Sequence, residues 1–583
     1  YGGECQVIEE NILVFNDSCG GLYTKNLLND DEPTLLTSVN PNIRFGDITI
    51  SKCLNYVICI QEVHKDDEVV NSLVKVYLNN SNGIQQEPVS LVKGNDFYTS
   101  PRISPCGNFL AYLTWNLPDM PWEGSQLCVA KLPKDNECIA ESVVIGGIPG
   151  KECCTQPKWK CSKNDVMELF FISDRENFLN IFKVKLDYQL NFLESPKNIF
   201  KIESDFCTPA WNFGQSEYDI LPDGNIICHG NLNEKPTTII FYPEDSSKRI
   251  ILSEKYSDLE CIQSLKDSKT NNQKIFFVAG TKTDFKALYS VEIPIINENF
   301  DTKDLNPEFK VLKKFNELML DSEFISICES KTFLTKEGKK FYGYLFLPKN
   351  KNFCGLKGEL PPLICISHGK KLRHKVIKML IYNLGGPTDY RPSYLETQTQ
   401  IFTSLGYAML FVNYGGSSKY GREFRERLNS NWGIVDVNDC CEAALALAEQ
   451  GLVDRNRMVI KGQSSGGYTT LACLTFRPDI FSAGVSLYGI GNLVTLAKFT
   501  HKFEKNYMEV LLGGTLTNNP KVYFDRSPIN FVDNIIAPIL LLQGSEDKVV
   551  PPEQSEKIYN SIKSKNGEIE YKVFEGEAHG WQR

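Results

Sequence analysis

What the chain lacks narrows its class first. It has no run of about 18 apolar residues, so no transmembrane helix is predicted and no membrane partner is expected. It has no excess of positive charge: the net charge of -9 argues against nucleic acid as a main partner. No C-x-x-C pairs with a second one at zinc spacing, and no phosphate-cradling glycine loop occurs, so neither metal nor cofactor is expected. It is poor in histidine, with six in 583 residues. It also lacks a starting methionine; Tyr1 stands there, so the expectation is a true N-terminus further upstream, with room for a signal peptide. Cysteine is the exception to this scarcity. Nineteen are scattered along the chain, including the adjacent pairs Cys153-Cys154 and Cys440-Cys441. With no small disulfide framework, they read as buried thiols of a reducing, cytoplasmic compartment. Hydrophobic residues at 42% and charged ones at 23% are ordinary for a soluble globular protein. The length exceeds what one core supports, so two or more domains are expected.

The first half repeats. Apolar runs recur in pairs, the first members being "NILVFND" at 11, "YVICIQE" at 56, "FLAYLTW" at 109, "LFFISD" at 169, "NIICHGN" at 225 and "IFFVAG" at 275. Each is followed about a dozen residues later by a partner such as "LVKVYL" or "LNIFKVKL". A repeat of this length made only of strands predicts propeller blades, six of them, over residues 1–325. An irregular β-sandwich is the plainer alternative.

From about residue 335 to 583 the pattern becomes strand, helix, strand. "LPPLICISHG", "AMLFVNY", "RMVIKGQS", "SAGVSLYG" and "APILLLQG" suit buried parallel strands, and "DVNDCCEAALALAEQG" between them suits a helix. This predicts a doubly wound α/β domain with a mostly parallel sheet. "VIKGQSSGGYTTL" holds a G-x-S-x-G between an apolar strand and a helix former, which singles out Ser464 as a nucleophile on a tight turn; Ser465 is the neighbour. A serine hydroxyl needs a base, and in this fold the chain order is serine, acid, histidine. Only His501 and His579 lie beyond Ser464. Asp547, just after "ILLLQG", is the candidate acid, with Glu546 as rival, and only His579 follows it. The expected roles are nucleophile, orienter of the imidazole, and general base then acid. The oxyanion needs two donors: the Ser465 N–H, and one from the loop that begins "ICISHG".

At these residues the chain resembles the prolyl oligopeptidase family, on its acylaminoacyl-peptidase and dipeptidyl-aminopeptidase-like branch. The matching stretches include "SPRISPCGNFLAYLTWNLPDMPWEGSQLCVAKL", "NYGGSSKYGREFRERLNSNWGIVDVNDC", "GQSSGGYTTL", "THKFE", "QGSEDKVVPPEQSE" and "FEGEAHG". The resemblance implies a seven-bladed propeller gating a C-terminal α/β-hydrolase domain that cleaves short peptides. It implies the same Ser464, Asp547 and His579, and an oxyanion or substrate side formed by Ser465, His368, Gly369, Gly386 and Tyr414. Against that family pattern the first blade and the closing helix are expected to be missing here. Gly415 also stands where relatives commonly carry arginine.

The third departure is "SHGKKLRHKVIKMLIYNLGGPT". Deleting residues 370–385 restores the family's "SHGGPT" in frame. The deleted piece carries four lysines, one arginine and no acid, with residues typical of A/T-rich codons. One reading is a retained intron. The other is a real insertion, a basic amphipathic helix with Leu372, Val376, Met379, Leu380 and Leu384 on one stripe, able to touch an anionic membrane or a partner. The first is preferred, because an insertion between the glycines moves an oxyanion donor.

Three weaker candidates remain. Arg391 is a cleft residue or a surface one. Asp119 and Glu123 either bind a peptide N-terminus or belong to a connecting loop. His501 lies near the pocket but precedes the acid. The reading is therefore a serine peptidase of short peptides, as a monomer or homo-oligomer. Its alternatives are an esterase of the same fold and a binding protein with an impaired site.

Overall fold

The computed structural model describes residues 2–51, 55–66, 68–79, 85–133, 137–160, 166–296, 305, 307–369, 386–499 and 501–581. Residues 370–385, the suspected intron or insertion, lie outside the described residues. The N-terminal half holds six four-stranded antiparallel sheets over residues 6–35, 43–93, 97–146, 154–198, 218–253 and 256–314. They are the six blades of a β-propeller. The paired runs seen in the sequence are the second and third strands of each blade. Phe109–Trp115 shows why they read as unbroken apolar runs. Phe109, Ala111 and Leu113 pack on the fourth blade, whereas Leu110 and Tyr112 pack on the second. Each further pair of neighbouring blades likewise shares one apolar cluster. No blade could bury its faces alone, and stacking supplies what each one lacks.

The first strands of four blades share a local device. Their ladders slip register between Gly46 and Thr49, at Thr99–Arg102, between Thr155 and Lys158, and between Glu260 and Gln263. Each slip holds one non-glycine residue with positive φ: Asp47, Ser100, Gln156 and Cys261. Such bulges bend a strand and redirect its side chains. Two of these side chains reach the next blade. Asp47 accepts from the Thr99 hydroxyl at 2.7 Å, and Gln156 donates to Glu217 at 3.0 Å.

The C-terminal half is one eight-stranded sheet. Its strands are β1 (Glu329–Leu334), β2 (Lys340–Phe346), β3 (Leu363–Ser367), β4 (Ala408–Asn413), β5 (Met458–Gln463), β6 (Ala483–Leu487), β7 (Ile539–Gly544) and β8 (Ile569–Phe574), in the order 1-2-4-3-5-6-7-8. Strands β3 to β8 run parallel, and β2 is antiparallel to both neighbours. Strand β1 stands just before residue 335, where the sequence reading began this domain. Helix α1 (Thr397–Ser404) covers one face, with Phe402 against Ile364, Ile366 and Phe411. Helices α2 (Val435–Glu449) and α3 (Ser465–Phe476) cover the other, packing Cys440, Leu447 and Leu471 on Cys365, Leu410 and Ile460. Helix α4 (Glu553–Lys563) lies beside β7 and β8. This two-sided cover is the doubly wound α/β-hydrolase arrangement.

The halves meet through buried charge and aromatic contact. Asp174, on the fourth blade, receives Arg422 at 2.8 Å and Arg425 at 2.7 Å. Lys502 donates to the carbonyls of Val69 and Asp96. Trp122 and Trp211 from the propeller meet Tyr507 from the other half, with ring centroids 5.6 and 5.9 Å from it.

Candidate active site

Strand β5 ends in Gly462-Gln463, and α3 begins at Ser465, which leaves Ser464 alone to turn the chain. Its φ of 53° lies in the left-handed region, an uncommon and strained setting for a serine. The turn is pinned by the Ser464 N–H donating to Leu487 O at 3.0 Å and by Tyr468 N–H donating back to Ser464 O. Glycine at 462 is required by close approach, since a Cβ there would stand 2.1 Å from the Gly466 carbonyl oxygen.

His579 follows β8 and Asp547 follows β7. The His579 Nε2 lies 2.9 Å from Ser464 Oγ, and its Nδ1 lies 2.7 Å from Asp547 Oδ2. Asp547 is 3% exposed and His579 8%, so the relay is largely shielded from water. Asp547 Oδ1 accepts from the N–H groups of Val549 and Val550 at 3.0 and 2.9 Å. Glu546, the rival acid, is exposed, and its backbone N–H bonds Glu577 O. The Ser465 hydroxyl is buried and has no hydrogen-bond partner among the described residues.

The opposite wall of the turn is the end of β3. A Cβ on Gly369 would fall 1.8 Å from Gln463 O, so the backbone at 369 lies against the nucleophile turn. The His368 ring turns inward: its Nε2 is 2.7 Å from Ser417 Oγ, and the ring stacks on Tyr414 at 4.2 Å. Burial, aided by Arg391, lowers its pKa to about 3, so it stays neutral. A further hydrogen bond joins it to the Gly386 backbone, and the Tyr414 hydroxyl donates to Pro387 O at 2.9 Å. Gly369 thus lies against the Gln463–Ser464 turn, and Gly386 lies near His368 and Trp211. The His368 and Tyr414 rings stack on each other, and they hydrogen-bond to Ser417, Pro387 and one another.

The family model described as the prolyl oligopeptidase family matches residues 392–583. The solved puromycin-hydrolyzing peptidase of Mycobacterium tuberculosis superposes with a TM-score of 0.85 at 30% identity, covering 100% of this chain and 83% of that one. The chain belongs to the prolyl oligopeptidase family. Dipeptidyl aminopeptidase BIII of Pseudoxanthomonas mexicana is 31% identical over 255 residues, 43% of this chain and 35% of that protein. The acylamino-acid-releasing enzyme of Arabidopsis thaliana is 26% identical over 239 residues, 39% of this chain and 31% of that protein. The chain therefore matches about a third of the length of these curated relatives.

The weaker candidates make the following contacts, and Arg391 also lines a cavity with Gly369 and Gln463. Glu123 accepts from the Met120 N–H at 2.8 Å, capping its own turn, and burial raises its pKa to about 7. Asp119 accepts from Gly150 N–H at 2.7 Å. Arg391 is half-buried, lies over the Phe411 ring, and reaches Glu396 at 3.5 Å. His501 pairs with Glu504 at 3.5 Å. At the family's usual arginine position, the Gly415 N–H donates to the buried Asp439 carboxylate at 2.8 Å, and the Arg427 stem fills the adjacent space.

Two residues at the relay were missed in the sequence. Tyr488, with φ of 39°, sets its ring edge-on to His579 at 4.8 Å and donates its hydroxyl to Gln463 Oε1 at 2.9 Å. Gln543 contacts Asp547 directly. Its signal was present, as the one polar residue in the apolar run "ILLLQG". Among the described residues no group of His, Cys, Asp and Glu could hold a metal ion, and no helix is long and apolar enough to cross a membrane.

Proposed function

We propose that this chain is a serine peptidase that hydrolyses short peptides through an acyl-enzyme. The observation that carries the reading is the Ser464–His579–Asp547 relay, with links of 2.9 and 2.7 Å at the carboxyl ends of a parallel sheet. His579 takes the Ser464 proton as Oγ attacks the scissile carbonyl, then passes it to the leaving amine; water deacylates the serine by the same route. Asp547 holds the imidazole and stabilises its charged form. The Ser465 and Gly369 N–H groups are the proposed oxyanion donors.

The names of the relatives, a dipeptidyl aminopeptidase and acylamino-acid-releasing enzymes, support action near a peptide's N-terminus. The propeller is the proposed size filter, which favours short peptides over folded proteins and bulky esters. We also propose that the competent form joins Gly369 directly to Gly386. The contacts of His368 and Tyr414 with the far side of that junction support this. The test is turnover of short peptide amides, free and blocked at the N-terminus, with Ser464→Ala as blank. Hydrolysis lost in that variant supports the reading; hydrolysis of simple esters alone counts against it.

A further inference from the structure

Asp547 is held from two directions. Its Oδ1 is fixed by the backbone of its own turn, at Val549 and Val550. Its Oδ2, the oxygen that faces His579, also lies 3.2 Å from Gln543 Nε2. Gln543 sits on β7, 0% exposed. Its Nε2 also donates to Val550 O at 3.1 Å, and its Oε1 accepts from the Ser555 hydroxyl at 2.8 Å. Ser555 lies on α4 and is itself buried.

These contacts fix the amide's orientation. The reverse placement would set the amide oxygen against both a carboxylate and a carbonyl, two acceptors with no proton between them. The amide is therefore a neutral donor aimed at the working oxygen of the acid. It favours the ionised carboxylate without adding charge, and it limits the carboxylate's rotation. An apolar residue of the same size would fill the space but supply no donor. Nothing else among the described contacts of Oδ2 does so except His579.

We propose that Gln543 is a positioning residue of the relay: with Ser555 on α4 behind it, its amide holds Asp547 Oδ2 on His579 Nδ1. The inference rests on the triad reading above. A residue that only braced β7 against α4 would change stability when replaced and leave the protonation behaviour of His579 alone. A residue that positions the acid changes both.

The test uses the full chain and three variants: Gln543→Leu, Gln543→Glu and Ser555→Ala. One readout is the pH dependence of fluorophosphonate labelling of Ser464. The other is the far-downfield proton resonance of His579 Nδ1–H. Gln543→Leu is expected to slow labelling by roughly 10- to 100-fold and to broaden or shift the resonance. Gln543→Glu puts a second carboxyl beside Asp547. As it ionises, it stabilises the imidazolium, so the labelling limb set by His579 moves to higher pH by about one unit or more. Ser555→Ala is expected to change the rate in the same direction as Gln543→Leu, by less. If Gln543→Leu does not fold, the other two variants carry the test. A Gln543→Glu limb and resonance identical to the parent overturn the proposal, whatever happens to melting temperature. If neither the parent chain nor its form lacking residues 370–385 labels, the triad reading has failed, and the resonance still decides whether Gln543 holds Asp547.

Discussion

At the scale of single residues, the C-terminal half carries an electrostatic load beside α3. Asp439 and Asp436, both on α2, are buried. Desolvation raises their pKa values to about 7 and about 6. Asp436 is compensated by Thr469 and the Gly433 N–H, whereas Asp439 has the Gly415 N–H as its close donor. The folded pKa of Asp439 lies above the ordinary carboxylate value, so the fold binds a proton that the unfolded chain releases. Its penalty is absent below about pH 4 and grows as pH rises towards 7. Asp439→Asn keeps the acceptor and removes the charge. Thermal unfolding is expected to show this variant more stable than the parent at pH 8, by on the order of 2 kcal/mol, with no gain at pH 4. Equal melting temperatures at pH 8 would contradict this account.

At the scale of elements, the junction of β3 with its following loop matters most. Gly369 lies against Gln463, and Gly386 is bonded from the same side by His368. Removing residues 370–385 is expected to leave the fold intact and to raise the turnover of peptide amides by about 100-fold or more, the worth of one oxyanion donor. Unchanged or lower turnover in the shortened form would make the segment a working element. Other elements show what the sequence could reveal. The second and third strands of every blade were legible because they are apolar on both faces, as Phe109–Trp115 is. The first strands were not, because a bulge with a left-handed residue such as Asp47 or Gln156 breaks their alternation. The fourth strands hid for a different reason: Phe192–Asn198 and Phe309–Lys314 are mostly exposed and carry charge. The proposed Ser464, Asp547 and His579 could be nominated from chain order because this fold, and not the chemistry, sets that order. Gln543 stood out only as the polar residue in an apolar run, and Tyr488 not at all, because a buried glutamine and tyrosine announce no chemistry until their partners are known.

At the scale of the whole molecule, the two halves are joined by charges that have no water to retreat to. Asp174 balances Arg422 and Arg425 at once, and its side chain is 0% exposed. Asp174→Asn takes the carboxylate from the buried Arg425 and leaves Arg422 with Glu426 at 2.6 Å as its remaining ion pair, an expected cost of about 3–5 kcal/mol. Hydrogen exchange should rise around residues 122–124 and 422–428, on both sides of the contact, with a lower melting temperature. Unchanged exchange at both would mean that the remaining contacts, the aromatic rings of Trp122, Trp211 and Tyr507 and the Lys502 bonds among them, hold the halves without Asp174. The central claim, however, is chemical, and the most direct test is covalent. Fluorophosphonate treatment of the chain and of its form lacking residues 370–385, read by peptide mass spectrometry, is predicted to give one adduct, on Ser464, faster in the shortened form and absent in Ser464→Ala. An adduct that persists in Ser464→Ala, or no adduct in either form, would contradict the account.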